Sequence, residues 1–144
     1  MSQTEQVETG TLYELESVDS PVDRQEVIRY MGYPAGMRPD DRLQAQIERW
    51  VPEAEALAEP RAVYMVVPVC EIGRRKVVVE GPCGRAEFRG QIGEFLGVAR
   101  YIAAFVATAG PAVERLSTEL LKKGEVLAGL VVSAVGSERA EAAE

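Results

Sequence analysis

The feature that most constrains the fold is an apolar segment near the end of the sequence. Residues 125–135 read EVLAGLVVSAV, and the sequence then turns polar as GSERAEAAE. A helix built from this segment would be apolar on nearly every side, and such a helix must be buried on most sides. Further elements are expected after it to cover it. The segment therefore predicts a shortened domain or a partner that completes it, and residues 126–135 predict self-association or a bound partner.

The other patterns along the chain predict helices and short strands. Capping residues and the spacing of apolar residues predict helices at 21–33, 39–57, 91–96 and 111–123, with a kink or interruption of the second at Pro52. Short apolar runs predict strands at 61–69, 76–80 and 101–107. The first two strands form the simplest antiparallel pair, and the third is expected to be buried.

These elements predict an α+β domain with a small, mixed or antiparallel sheet packed with helices. The length of 144 residues fits one domain. We expect a polar N-terminal arm at 1–20 and the domain at 21–144. Within the arm, residues 12–18 form either an ordered edge strand or a disordered segment. The expected core residues are Val63, Val66, Val78, Ile102, Phe105, Val106, Leu116, Leu127, Leu130 and Val131.

Composition excludes several classes of function. The 16 Lys and Arg residues are outnumbered by 23 Asp and Glu, giving a net charge of −7, which argues against nucleic acid as a partner. The chain has no histidine, so no histidine triad or histidine metal site is available. Cys70 and Cys83 alone do not complete a zinc site. Neither a signal peptide nor a membrane span is visible, so we expect a cytoplasmic protein with no membrane partner.

One turn offers a candidate ligand site. The sequence TAGP at 108–111 joins a predicted strand to the start of a helix, where unpaired backbone N–H groups can bind an anion or a small polar ligand. A plain connecting turn is the alternative reading. The acidic residues are spaced as surface charges, and no pair of them stands out as a general acid and base.

Several segments resemble the reactivation domain of cobalamin-dependent methionine synthase and its stand-alone relatives. They are EVIRYMGY at 26–33, PDDRL at 39–43, YIAAFVATAGPAVERL at 101–116 and AVGSERAEAAE at 134–144. The resemblance covers most of 21–144, and its order and spacing carry more weight than any one motif. It implies the methionine synthase activation domain-like fold, shortened at its C-terminal side.

The resemblance implies that the chain binds S-adenosylmethionine and presents it to a corrinoid-binding methyltransferase protein, which carries the cobalamin. In that family, oxidised cobalamin is reduced by one electron and remethylated in this way, so the chain would be a methyltransferase component rather than an enzyme alone. An ungapped alignment puts Glu141 at the family's ligand-binding glutamate, and Thr108 and Gly110 belong to its T-x-G turn. No catalytic residue and no metal ligand is implied.

One family motif has no good counterpart here. The family's main ligand-binding stretch, R-x-x-x-G-Y, lies beyond the last helix of this sequence. Arg29, Gly32 and Tyr33 read R-x-x-G-Y, which is one residue too short and in the wrong half of the fold, so we interpret them as the end of a helix. The alternative function is therefore a non-catalytic docking subunit of a corrinoid methyltransferase, with a second chain completing the fold or a homo-oligomer. A small acidic domain of unrelated function is a third possibility.

Overall fold

The structure, a computed structural model, describes residues 8–15 and 18–143. Its elements follow the order β1 (Leu12–Leu15), α1 (Arg24–Tyr30), α2 (Asp41–Leu57), β2 (Arg61–Gly73), β3 (Lys76–Gly81), β4 (Gly84–Arg89), α3 (Ile92–Leu96), β5 (Tyr101–Thr108), α4 (Pro111–Lys122) and α5 (Val126–Ala142). The result is an antiparallel sheet combined with helices, so the predicted α+β class is confirmed.

The chain divides into two compact units. The sheet unit contains Met1–Glu14 and Val63–Val106, and the helical unit contains Leu15–Ala62 and Ala107–Glu144. The boundary expected near residue 20 stays a prediction. Within the expected N-terminal arm, Leu12–Leu15 form a strand, whereas residues 1–7, 16 and 17 lie outside the described part of the chain.

The sheet has the strand order β1-β2-β3-β4, and β5 pairs with β2. Strands β2 and β3 form the predicted antiparallel hairpin, with a register shift between Val69 and Glu71. Strand β2 runs four residues further than expected, to Gly73. The patterns did not predict β4, because its sequence GRAEFR has three charged residues and all six of its residues are exposed. It pairs antiparallel with β3.

The prediction of which valines of β2 and β3 are buried was wrong by one position. Val67, Val77 and Val79 are buried, whereas the expected Val66 and Val78 are only half-buried. Successive side chains of a strand point to opposite faces, so an error of one position selects the wrong face. Of the other expected core residues of the sheet unit, Val63 and Ile102 are half-buried.

Strand β5 is not the buried strand that was expected. Tyr101, Phe105 and Val106 are 58%, 52% and 69% exposed. Ile102 packs against the buried valines, while Tyr101 and Phe105 alternate with it and point to the other face. The apolar run is therefore a strand, as predicted, but only part of it is covered.

Helix α5 is the centre of the helical unit and packs against α1, α2 and α4. Val131, Val132 and Val135 are completely buried, which confirms that the apolar segment forms a buried helix. The expectation that elements after it must cover it was wrong, because helices that precede it in the sequence do so. Of the expected core residues here, Val131 is buried, Leu116 and Leu127 are half-buried, and Leu130 is 46% exposed.

The helix boundaries differ from the predictions in two places. Helix α1 begins later than expected, because the side chain of Asp23 caps it and accepts from the N–H of Gln25. Helix α2 continues through Pro52 to Leu57, so it is not interrupted there. Pro52 lies on the exposed side of α2, where water can reach the carbonyl that its ring leaves without a donor.

Candidate functional site

An open groove of about 510 Å³ lies between α4 and α5 in the helical unit. Thr108 and Gly110, two of the three predicted ligand-binding residues, line it, and Glu141 does not. Most lining residues are small or hydroxylic. They are Thr108, Ala109, Gly110, Val113, Glu114, Ser117, Thr118, Ser133, Gly136, Ser137 and Ala140.

The turn from β5 into α4 forms one end of the groove. Thr108 ends β5, and its Oγ1 accepts from the N–H of Gly110 at 3.0 Å. Gly110 has a φ of +87°, and a Cβ added to it would lie 3.1 Å from Glu59 Cβ and 3.3 Å from Glu59 N. The N–H of Glu59 donates to Ala109 O at 2.8 Å. Only glycine suits this position, because both the backbone angle and the close approach exclude a side chain.

Small residues let α4 and α5 approach closely beneath the groove. A Cβ on Gly129 would lie 2.7 Å from Leu121 Cγ, and one on Gly136 would lie 3.2 Å from Val113 Cγ1. The buried hydroxyl of Ser117 donates to Gly129 O at 2.9 Å, which fixes the two helices together. The floor of the groove is therefore held by two packed helices rather than by loops.

The groove carries a negative charge. Among the described residues that line it, Glu114 is the one with a charged side chain. It lies in the first turn of α4, where the helix dipole favours a carboxylate. The sequence patterns did not single it out. Its spacing from Gly110, Ser117 and Thr118 by three or four residues was the available signal, since such residues share one helix face.

Glu141 is held by α1 instead. Its Oε2 accepts from Tyr30 Oη at 2.5 Å and from Arg29 Nη2 at 3.0 Å. Arg29 also donates to Glu26 at 2.6 Å and lies over the ring of Tyr30. The hydrogen bond to Glu141 raises the pKa of the Tyr30 phenol above its ordinary value. The structure thus gives Glu141 two partners in this chain, and its role toward a ligand stays a prediction.

The R-x-x-G-Y sequence lies at the end of α1, as interpreted. Arg29 is in the last turn, and Gly32 follows with a φ of +89° and donates its N–H to Arg29 O. Tyr33 packs against the core of the helical unit.

A buried ion pair on α5 also holds the segment before α1. Glu138 and Arg139 are 5% and 3% exposed, and two of the Arg139 nitrogens donate to the Glu138 carboxylate at 2.6 and 2.7 Å. Arg139 also donates to the carbonyls of Ser20 and Pro21, and Glu138 accepts from the N–H of Asp23. The hydrogen bond to Glu138 raises the pKa of Arg139. The sequence patterns did not predict a role for this pair, because the backbone groups that it contacts at residues 20–23 are more than a hundred residues away in the sequence.

The described part of the chain contains no group of three or more His, Cys, Asp or Glu residues arranged to hold a metal ion. Cys70 and Cys83 are both free and exposed. Among the described helices, none combines the length and the apolar character that a membrane crossing requires.

Comparisons with known proteins agree with this description at the level of the fold. A scan against protein-family models and a search of curated proteins give no match. A search of solved structures matches a crystal structure of the MetH reactivation domain bound to AdoHcy, with a TM-score of 0.60 and 16% sequence identity. The fold matches that of the MetH reactivation domain. The resemblance seen in the sequence is confirmed in this respect.

The match covers 94% of this chain and 53% of the MetH reactivation domain chain. The present chain therefore spans about half the length of that chain. At this level of identity the similarity concerns the fold alone, and the ligand of the MetH domain is a property of that protein.

Proposed function

We propose that the chain binds S-adenosylmethionine in the α4–α5 groove and acts as a component in the reactivation of a cobalamin-dependent methyltransferase in methionine synthesis. The observation that carries the proposal is the fold match to a reactivation domain bound to AdoHcy, the product of methyl transfer from S-adenosylmethionine. The groove supports it, because its volume of about 510 Å³ lies in the range typical of small-molecule sites.

In this proposal the residues of the chain bind and orient the methyl donor and supply little acid–base chemistry. Serine and threonine hydroxyls that line the groove would hold the polar atoms of the ligand. A corrinoid carried by a partner protein would supply the cobalt that accepts the methyl group, after a separate donor such as a flavodoxin had reduced it by one electron. The absence of histidine from the chain is compatible with this division of roles.

A second candidate is a docking subunit that binds the corrinoid protein without a ligand of its own. One observation favours it: the carboxylate of Glu141 is already occupied by Arg29 and Tyr30. In this case a second chain or a second copy of this one would complete the ligand pocket.

Calorimetric titration with S-adenosylmethionine separates the two candidates. Thr118 is exposed and lines the groove, so Thr118→Phe should obstruct it without disturbing the core. Thr118→Ser is the matched control. We expect saturable binding by the unaltered protein and by Thr118→Ser, and a loss of affinity of about tenfold or more in Thr118→Phe. Absence of binding by the folded, unaltered chain would favour the docking subunit.

A further inference from the structure

We infer that the chain forms a dimer in which the β5 strands of two copies pair antiparallel along residues 101–106 of the sheet unit. The occupant of this surface is therefore a second copy of the chain. None of these residues lines the α4–α5 groove, so the inference does not depend on the function proposed above.

The first support is an open edge of the sheet. In the described part of the chain, β2 is the one strand with which β5 pairs. Among the described turns and loops, none exchanges a backbone hydrogen bond with residues 101–106. A strand with a partner on one side leaves alternate N–H and C=O groups unpaired on the other side, where a further strand can bind.

The other outer strands of the sheet carry features that oppose such pairing. Strand β4 has Arg85, Glu87 and Arg89 among its six residues, and β1 is four residues long and contains Glu14. Charged side chains and short length are common means by which edge strands avoid a further partner. Strand β5 is eight residues long and has neither a charged residue nor a proline, so it is the edge most open to a further strand.

The second support is the apolar surface that β5 exposes. Tyr101, Phe105 and Val106 are each more than half exposed. Tyr101, Ala103 and Phe105 share one face of the strand, because alternate residues point the same way. A paired strand would remove part of this surface from water, which favours association.

The third support is charge, and it favours a second copy as the occupant. The chain has a net charge of −7, so two copies repel each other wherever their charged surfaces meet. Residues 101–113 are the longest stretch of the sequence without a charged residue. Two copies can therefore approach along β5 without bringing like charges on this strand together.

An antiparallel pair of identical strands uses the same groups on both copies. A two-fold axis relates the strands, so each hydrogen bond is made twice and the assembly closes at two copies. With the axis at Ala103, which is small and exposed, Tyr101 lies opposite Phe105 of the second copy on both sides of the axis. Aromatic side chains that lie opposite each other stabilise neighbouring strands.

Light scattering of the full chain at several concentrations tests the dimer. Phe105→Lys puts a charge on the edge, in the way that natural edge strands are protected. Leu130→Lys is the matched control, because Leu130 is similarly exposed but lies on α5, within the segment from which the sequence predicted self-association. Circular dichroism checks that each variant is folded.

We expect the unaltered protein and Leu130→Lys to form a dimer that dissociates in the micromolar range, since the interface is small. The dissociation constant should rise by about tenfold or more in Phe105→Lys, because the charge lies in the interface twice.

A disulfide across the predicted axis tests the pairing itself. Cys70 and Cys83 are exposed, so both are first replaced by serine. In that background, Ala103→Cys should give a covalent dimer under mild oxidation, because directly opposite Cβ atoms lie roughly 5 Å apart. Glu119→Cys, at an exposed position on α4, should give none. Non-reducing electrophoresis detects the product.

Three results would overturn the inference. The first is a monomer at every concentration up to about 100 μM, far above the expected dissociation constant. The second is a dimer that Phe105→Lys leaves intact, whatever the effect of Leu130→Lys. The third is a dimer in which Ala103→Cys gives no disulfide. Titration with S-adenosylmethionine tests the groove separately, so failure of the dimer and failure of the proposed function are distinguishable.

Discussion

At the scale of single residues, Glu141 shows why an alignment alone does not assign a role. The carboxylate was placed by resemblance at a ligand-binding position, and the fold brings Arg29 and Tyr30 to it from α1. These partners are 112 and 111 residues away in the sequence, so no local pattern could have predicted them. The turn that contains Thr108 and Gly110 was easier to predict, since adjacent residues define it, and the role of these two residues toward a ligand stays a prediction.

The contact between Glu141 and Tyr30 predicts a pH effect. Glu141→Gln should lower the pKa of Tyr30 toward its ordinary value of about 10, because the carboxylate that disfavours the phenolate is removed. Ultraviolet titration of the tyrosines, with Tyr30→Phe to identify the Tyr30 signal, measures the shift. An unchanged titration curve would contradict the contact.

The sign of the stability effect follows from the raised pKa. The contribution of Tyr30 to stability is fully present below the pKa of the unfolded chain, near 10, and is lost as the pH rises from there through the higher pKa of the folded protein. Chemical unfolding between pH 8 and pH 11 should show this loss in the unaltered protein and less of it in Glu141→Gln.

At the scale of elements, the existence of most helices and strands was predictable from the sequence. Their boundaries, and which of their faces are buried, were harder to predict. The spacing of apolar residues located α2, α4 and α5, and β-branched runs located β2 and β3. The buried face of the sheet was not predictable, because Val77, Val78 and Val79 are identical in type and only the packing decides which point inward. The charged sequence of β4 is not typical of a strand, and β4 is stabilised by its pairing with β3.

The buried pair Glu138–Arg139 should be important for docking α1 and the segment before it on α5. Arg139→Met leaves the Glu138 carboxylate buried and unpaired, so we expect a loss of about 3–5 kcal/mol in the free energy of unfolding. The double variant Glu138→Leu, Arg139→Met should lose less, because no buried charge remains. Urea unfolding followed by circular dichroism measures both.

The exposed pair between Arg29 and Glu141 provides the control for this measurement. Arg29→Met should change the free energy of unfolding little, because solvent screens exposed ion pairs. A stability of Arg139→Met equal to that of the unaltered protein would show that the buried pair does not hold the segment.

At the scale of the whole molecule, the order and spacing of several segments carried more information than any one of them. They predicted the fold of the MetH reactivation domain, which the structural match confirms at 16% identity. The groove was beyond prediction, because it depends on the close approach of α4 and α5 over Gly129 and Gly136. Glu114 is recognisable as a groove residue only once that groove exists.

The measurement that tests the central claim most directly is a titration of the isotopically labelled protein with S-adenosylmethionine, followed by two-dimensional amide NMR. The account predicts saturable shifts that cluster at residues 108–110, at residues 113–118 of α4 and at residues 133–140 of α5. Shifts confined to other regions, or none at all in a folded protein, would contradict the assignment of the α4–α5 groove as the ligand site.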